Sequence, residues 1–565
     1  MIKRLLILFV SLLISIECYN QAVAPEELIR EMISQYGQVR LRIPYPGKIE
    51  FLEVSRNLSV SSVTNDSAEI VLSPVTMDWF IGRGFKYSII KNVDNKNVTT
   101  SQHVKNAMEW DSYPSYTQYD SIMQSFSGKY PSLCNLDTIG TSINGRLVLA
   151  LKISDNAGSD ENEPETFYSS TIHGDETGGF ILMLRFADYL LSNYNFSSRV
   201  KNLIDNLEIW INPLANPDGT YRTGNTIISP SRFNANGYDL NRNFPDPVTP
   251  NTPKQKETLD MIGFMREHNF VLSANFHSGK EVVNYPWDRW PTLHADNEWF
   301  YAISRSYADT VHKYSIPGYM TFLQNGVTNG YDWYLINGGR QDFVTWELQG
   351  REVTIELDNQ YVTPVDQLNP LWNYNRNSLL GYLENALYGI HGTVTDAGSG
   401  EPLMASVFIT GHDKDSSHVY SNRLTGRYIR LISPGTWDIV FSARGYADAI
   451  VENVIVIEGQ TTVLDVEMLS YPNPVDTIDT ESLVLYPVPA DVFINILLPE
   501  RLKGPINISV FNMMGMKLKS YNEYATSDDP INVNVSDLAG GLYSLRITNT
   551  ATGAAGRSTL IVINR

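Results

Sequence analysis

The chain has 565 residues, 42% of them hydrophobic and 19% charged, an ordinary globular composition in a length too great for one hydrophobic core. Its 62 acidic residues outnumber 43 basic ones, and the formal net charge of −19 argues against nucleic acid or an anionic membrane as main partner, since both need a positive face. The only cysteines are Cys18 and Cys134, which excludes a disulfide-stapled scaffold.

In chain order, the first element is an export signal, placed at 1–22. Lys3 and Arg4 precede the apolar run Leu5 to Ile16, too short to cross a bilayer comfortably, and polar sequence follows. Removal of that signal leaves Cys134 alone, and its apolar neighbours mark it as a small core residue. Residues 25–110 read as a small α/β unit, either a pro-segment or an accessory module. An amphipathic stretch from Glu26 to Gln35 leads into the alternating strand Val39 to Ile43, with further strands at Ala68–Leu72 and Phe85–Ile90.

From 111 to 388 short apolar runs alternate with helical periodicity, the pattern of an α/β sheet. Four runs matter: Phe167–Ile172, Leu207–Ile211, Phe270–Phe276 and Glu352–Leu357. One helix is plain, with Phe180, Met183, Leu184, Ala187, Leu190 and Leu191 on a single face. Short strands and turns between 389 and 469 predict a β-sandwich. A linker at 470–481 precedes a second all-β stretch at 482–565. No segment after the signal has the length and apolarity of a membrane span.

His173-Gly-Asp-Glu176 follows a predicted strand directly, and His277 ends another. In open α/β sheets, sites gather beyond the carboxyl ends of strands. Two histidines and one glutamate there suit one zinc ion per chain with a fourth position open to water. Asp239 is placed to orient one of the histidines through its second ring nitrogen. Glu356 is an acid in an otherwise apolar strand, and beside such a metal it reads as the general base.

These segments resemble the zinc carboxypeptidase family typified by carboxypeptidase A. The resemblance runs from Tyr113 to Tyr388, through Ile139-Gly-Thr-Ser-Ile-Asn-Gly-Arg146, His173-Gly-Asp-Glu176, Asn212-Pro-Leu-Ala-Asn-Pro-Asp-Gly219, Tyr238-Asp-Leu-Asn-Arg-Asn-Phe-Pro245, Ser273-Ala-Asn-Phe-His277 and Ile355-Glu-Leu357. It implies that Asn241 and Arg242 bind the substrate's terminal carboxylate, that Arg232 polarises the scissile carbonyl, and that Tyr334 closes over the bound residue. His277-Ser-Gly and Asn284-Tyr-Pro-Trp-Asp288 are similar to the branch containing carboxypeptidases N, E and D. There Asp288 and Gln341 imply a preference for C-terminal Arg or Lys, whereas Arg340, if aimed into the pocket, opposes it. The segment from Gly392 to Met468 resembles the transthyretin-like domain of that branch. Tyr486-Pro-Val-Pro-Ala490 and Leu538-Ala-Gly-Gly-Leu-Tyr-Ser-Leu-Arg546 resemble the C-terminal sorting domain of type IX secretion in Bacteroidetes.

The expected fold is therefore an α/β catalytic domain with a mixed central sheet flanked by helices, preceded by a small α/β unit and followed by two all-β sandwich domains. The expected protein is a secreted or cell-surface peptidase acting on peptide and protein C-termini and exported by the type IX machinery. Two other readings share these residues: a related zinc hydrolase of peptidoglycan stem peptides or N-acyl amino acids, and an inactive surface binding protein.

Overall fold

The computed structural model describes residues 25–90, 98–247, 253–471, 483–488, 490, 492–512, 516–525, 530–552 and 554–562. The export signal with Cys18, and all but the first two linker residues, lie outside them. The chain forms two compact units, Met1–Ser470 and Tyr471–Arg565.

The N-terminal part of the first unit folds as read, around helix α1 (Pro25–Tyr36) and four strands, β1 (Val39–Pro44), β2 (Ser59–Val63), β3 (Ser67–Leu72) and β4 (Ser88–Ile89). Their order is β2-β3-β1-β4, all pairs antiparallel, with Leu41, Ile43, Val60 and Ile70 turned inward. The strand expected over Phe85–Ile90 shortens to two residues. Phe85 leaves the ladder to stack on Phe80, with ring centroids 5.5 Å apart. β2 is an edge strand with a bulge between Val60 and Ser62, a device that bends a strand and re-aims its residues. Residues 98–110 do not join this sheet. Ala107 and Trp110 pack with Tyr113, Tyr119 and Phe180 in the core of the following domain.

That domain is built on eight strands, β5 (Cys134–Thr141), β6 (Leu147–Ile153), β7 (Glu165–Ser170), β8 (Glu208–Asn212), β9 (Phe270–His277), β10 (Lys280–Tyr285), β11 (Val327–Asn329) and β12 (Arg351–Asp358). The order is β11-β10-β12-β9-β7-β8-β6-β5. The four central strands β12, β9, β7 and β8 run parallel, and β10, β6 and β5 run against their inner neighbours, so the sheet is mixed. Residues of β9 are buried along its whole length, as a strand covered on both faces requires. Helix α2 (Gly178–Asn193) carries the predicted apolar face onto the sheet, Phe180, Met183, Leu184, Ala187 and Leu190 being wholly buried. Cys134 is buried in the same core, and burial lifts its thiol to about 12, so it is inert at neutral pH.

Strands between Gly389 and Met468 form two four-stranded sheets around Ile390, Val407, Ile439 and Phe441. One buried ionic cluster joins this sandwich to the α/β domain. Asp296 of the α/β domain receives Arg430 of the sandwich through both terminal nitrogens, each at 2.9 Å, and Arg351 at 2.7 Å and His412 at 2.8 Å. Arg430 also meets Asp413 at 2.5 Å. Burial alone would raise the Asp296 carboxyl, but Arg430 and Arg351 outweigh it and hold the group well below the carboxylate range. The second unit holds a three-stranded and a four-stranded sheet around Ile494, Ile496, Ile508, Val510, Leu545 and Ile547.

Removing a buried partner strands the opposite charges. We therefore expect Asp296→Ala to cost about 3–5 kcal/mol in denaturant unfolding of the first unit. A loss indistinguishable from that of a surface alanine would show that the cluster does not join the two domains.

Candidate active site

Two strands, β7 and β9, deliver the metal-type side chains at or just beyond their carboxyl ends. After β7 the chain turns through Thr171, which has a positive φ of 61°, and His173 follows. Gly174 then passes so close to Gly219 that a Cβ would sit 2.3 Å from its carbonyl carbon, so no larger residue fits. His277 is the last residue of β9. His173 Nδ1 lies 2.8 Å from Glu176 Oε1, His277 Nδ1 lies 2.7 Å from Glu176 Oε2, and the two Nδ1 atoms are 3.1 Å apart. All three side chains are buried.

The outer ring nitrogens show which face is for a ligand. His173 Nε2 lies 3.0 Å from Asp239 Oδ1, as the sequence suggested, and a neutral imidazole that donates there keeps its lone pair on Nδ1. His277 Nε2 lies 2.8 Å from Asn275 Nδ2, while Asn275 Oδ1 has no partner among the described residues. Turning that amide over satisfies both groups, with Nε2–H donating to the carbonyl oxygen. Burial pushes His277 down to about 4, so it is neutral at neutral pH, as a metal ligand must be. Two imidazole lone pairs and a carboxylate facing one point fit a zinc ion. Asp296, His412 and Asp413 also converge, but Arg351 and Arg430 already balance that cluster.

Glu356 of β12 stands in register with His277 on one side and Val282 on the other. One of its oxygens is buried without a hydrogen bond among the described residues. Burial, then the charge of Glu176, raises its carboxyl well above the usual range. Arg232 reaches Glu176 Oε1 at 3.1 Å and Asp239 Oδ2 at 2.9 Å. Burial works against its charge, but Asp239, Glu176 and Asp175 outweigh it. Asp239 also caps the turn that carries the next two residues, accepting from Asn241 N at 2.9 Å.

Asp288 lies at the far end of the cavity. Its Oδ1 accepts from Asn284 Nδ2 at 2.8 Å and Gln341 Nε2 at 3.2 Å, and burial raises its carboxyl to about 6. Gly330 backs it, where a Cβ would fall 1.8 Å from Oδ1. Arg340 is not aimed at this pocket. Its guanidinium is buried against Glu352 at 2.9 Å and over the Phe167 ring, and its backbone N–H donates to Asn241 Oδ1. His173, Glu176, Arg232, Asn241, Arg242, His277, Asp288, Tyr334 and Glu356 thus line one cavity, with Gln341 and Asp239 directly behind it.

The N-terminal sheet forms the remaining wall, which the sequence did not foreshadow. Ser59 of β2 accepts from Arg232 Nε at 2.7 Å and bonds Asp239. The Val60 carbonyl accepts from Arg242 Nη2 at 2.9 Å, and Ser61 faces the cavity. Behind them, Gln38 accepts from Arg232 N at 2.8 Å, and Arg40 pairs with Asp175 at 2.6 Å while lying over the Tyr361 ring. The free volume left is about 20 Å³, room for about one water.

Comparison with known proteins adds to this geometry. The zinc carboxypeptidase family model matches residues 119–378. Human carboxypeptidase D is 33% identical over 363 residues, covering 60% of this chain but 26% of that protein. Carboxypeptidase M of Mus musculus is 33% identical over 58% of this chain and 77% of its own length. The carboxypeptidase N catalytic chain of Rattus norvegicus is 32% identical over 61% of this chain and 84% of its own. The chain belongs to the zinc carboxypeptidase family. Its zinc carboxypeptidase domain is followed by a carboxypeptidase regulatory-like domain at 389–469 and a secretion system C-terminal sorting domain at 484–562. Among the described residues no helix is long and apolar enough to cross a membrane.

If the three converging side chains are the metal ligands, zinc titrated into chelator-treated protein binds at one equivalent per chain. His277→Ala then weakens that binding by at least 100-fold in calorimetry, and an unchanged isotherm would place the metal elsewhere.

Proposed function

We propose that this protein is an exported zinc carboxypeptidase that releases single residues from the C-termini of peptides and proteins, with Arg and Lys preferred. The observation that carries the reading is one cavity holding a metal-type donor set, a buried Glu356 carboxyl with one oxygen free of hydrogen bonds among the described residues, and the guanidinium of Arg242. His173, Glu176 and His277 hold the zinc, which when bound supplies a Lewis acid and acidifies water. Arg242, with Asn241, takes the terminal carboxylate in its planar fork, so only a chain end is accepted. Glu356 removes the proton of the attacking water and returns it to the leaving amine. Arg232 meets the negative charge that develops on the carbonyl oxygen, and Tyr334 covers the bound residue.

Asp288, held by Asn284 and Gln341, offers a carboxylate to a cationic side chain. Arg340 does not oppose it, being turned onto Glu352. The sorting domain at 484–562 supports export by the type IX route.

We read the N-terminal sheet as a pro-segment. While Ser59 holds Arg232 and Val60 holds Arg242, about 20 Å³ remains, too little for an amino acid. With a protease site engineered between Ile90 and Val98, cleavage in place should raise hydrolysis of benzoyl-Gly-Arg at least 100-fold. In the cleaved protein, Glu356→Gln should lower kcat by about 10²–10⁴-fold while zinc content stays at one equivalent. Unchanged turnover in that variant would discredit the mechanism.

The Asp288 carboxyl is raised to about 6, so its charge is present above that pH and is lost as pH falls through it. KM for a C-terminal Arg substrate should therefore rise below about pH 6, and this limb should vanish in Asp288→Asn.

A further inference from the structure

Strand β10 runs beneath the cavity like a ruler. Alternate residues share a face, so Asn284, Val282 and Lys280 look the same way, about 7 Å apart at each step. Asn284 holds Asp288 at the end of the side-chain pocket, and Val282 stands opposite Glu356. Lys280 comes next, opposite Asp358, and lines the same cavity as His277 and Glu356. A substrate with its terminal side chain at Asp288 and its scissile bond beside Glu356 must run its preceding residues over Lys280.

The environment leaves that ammonium available. Lys280 is half-buried at the rim, its Nζ 5.2 Å from the centroid of the Phe322 ring. Among the described residues it forms no hydrogen bond and no ion pair within 4 Å, whereas Arg232 and Arg242 are both engaged. The carboxyls facing it are Glu356 and Asp358, and Asp358 accepts from Gln360 N at 3.0 Å.

Resting on the carboxypeptidase reading, we infer that Lys280 is a specificity residue that favours substrates with an acidic side chain just upstream of the scissile bond. The preferred class is then a peptide ending in an acidic residue followed, directly or after one residue, by Arg or Lys. Charge complementarity at a rim position acts as selectivity among substrates rather than as raw affinity.

The test uses full-length, zinc-loaded protein cleaved in place between Ile90 and Val98. Its substrates are Ala-Ala-Xaa-Arg and Ala-Xaa-Ala-Arg with Xaa as Asp, Ala or Lys. At one of the two positions kcat/KM should fall from Asp to Ala to Lys by about fivefold per step. The spread should collapse toward one in Lys280→Met, invert in Lys280→Glu and survive in Lys280→Arg. It should also shrink between 50 mM and 1 M salt, which a merely structural role would not produce. Equal turnover of all peptides by the wild-type protein, or an unchanged spread in Lys280→Met, overturns this inference alone. No turnover of any peptide removes the carboxypeptidase reading and this inference with it.

Discussion

The convergence of His173, Glu176 and His277 is the constraint around which the first unit is arranged. Two imidazole nitrogens 3.1 Å apart, buried beside one carboxylate, form an assembly that is poor without a cation between them. The parallel order of β7, β9 and β12 makes it possible, because their carboxyl ends open at one edge and each contributes there. Further partners then follow by necessity. Asp239 and Asn275 fix the outer ring nitrogens, and Asp239, having two oxygens to satisfy, also gathers Arg232, Ser59 and the turn that carries Asn241 and Arg242. The acid that orients His173 is thus also the anchor for the turn that carries Asn241 and Arg242.

Much of this was legible in the sequence because chemistry and periodicity coincide there. An acid within the largely apolar run Val353–Leu357 is costly unless used, and a histidine at the last position of the largely apolar run Phe270–His277 is placed at the sheet's edge. That Asn241, Asp288 and Tyr334 would share this cavity was legible only through ordered motifs, since nothing in their spacing joins them. The direction of Arg340 was not legible at all. Its sequence neighbour Gln341 faces Asp288 while its own guanidinium turns into the core; Arg340 opens a helix, and the partner that decides its direction, Glu352, lies in strand β12.

The part played by β2 was hidden for a different reason. Ser59, Val60 and Ser61 are small and chemically bland, and two of their contacts use a hydroxyl and a main-chain carbonyl. No residue type announces such a role. The arrangement has an energetic consequence, because a neutral carbonyl is a weaker partner for a guanidinium than the full charge of a chain end. A carboxylate, such as the chain end proposed to bind here, would therefore hold Arg242 more strongly than the Val60 carbonyl does.

The cluster around Asp296 bears on what counts as an independent piece of this molecule. Arg351 begins the strand that ends near Glu356, and its counter-charge is shared with Arg430 of the sandwich. Cutting the chain at the visible boundary near 388 would divide a balanced set of charges between two fragments and open a buried aspartate to solvent. The unit suited to recombinant expression is on these grounds the pair of domains together and not the hydrolase alone.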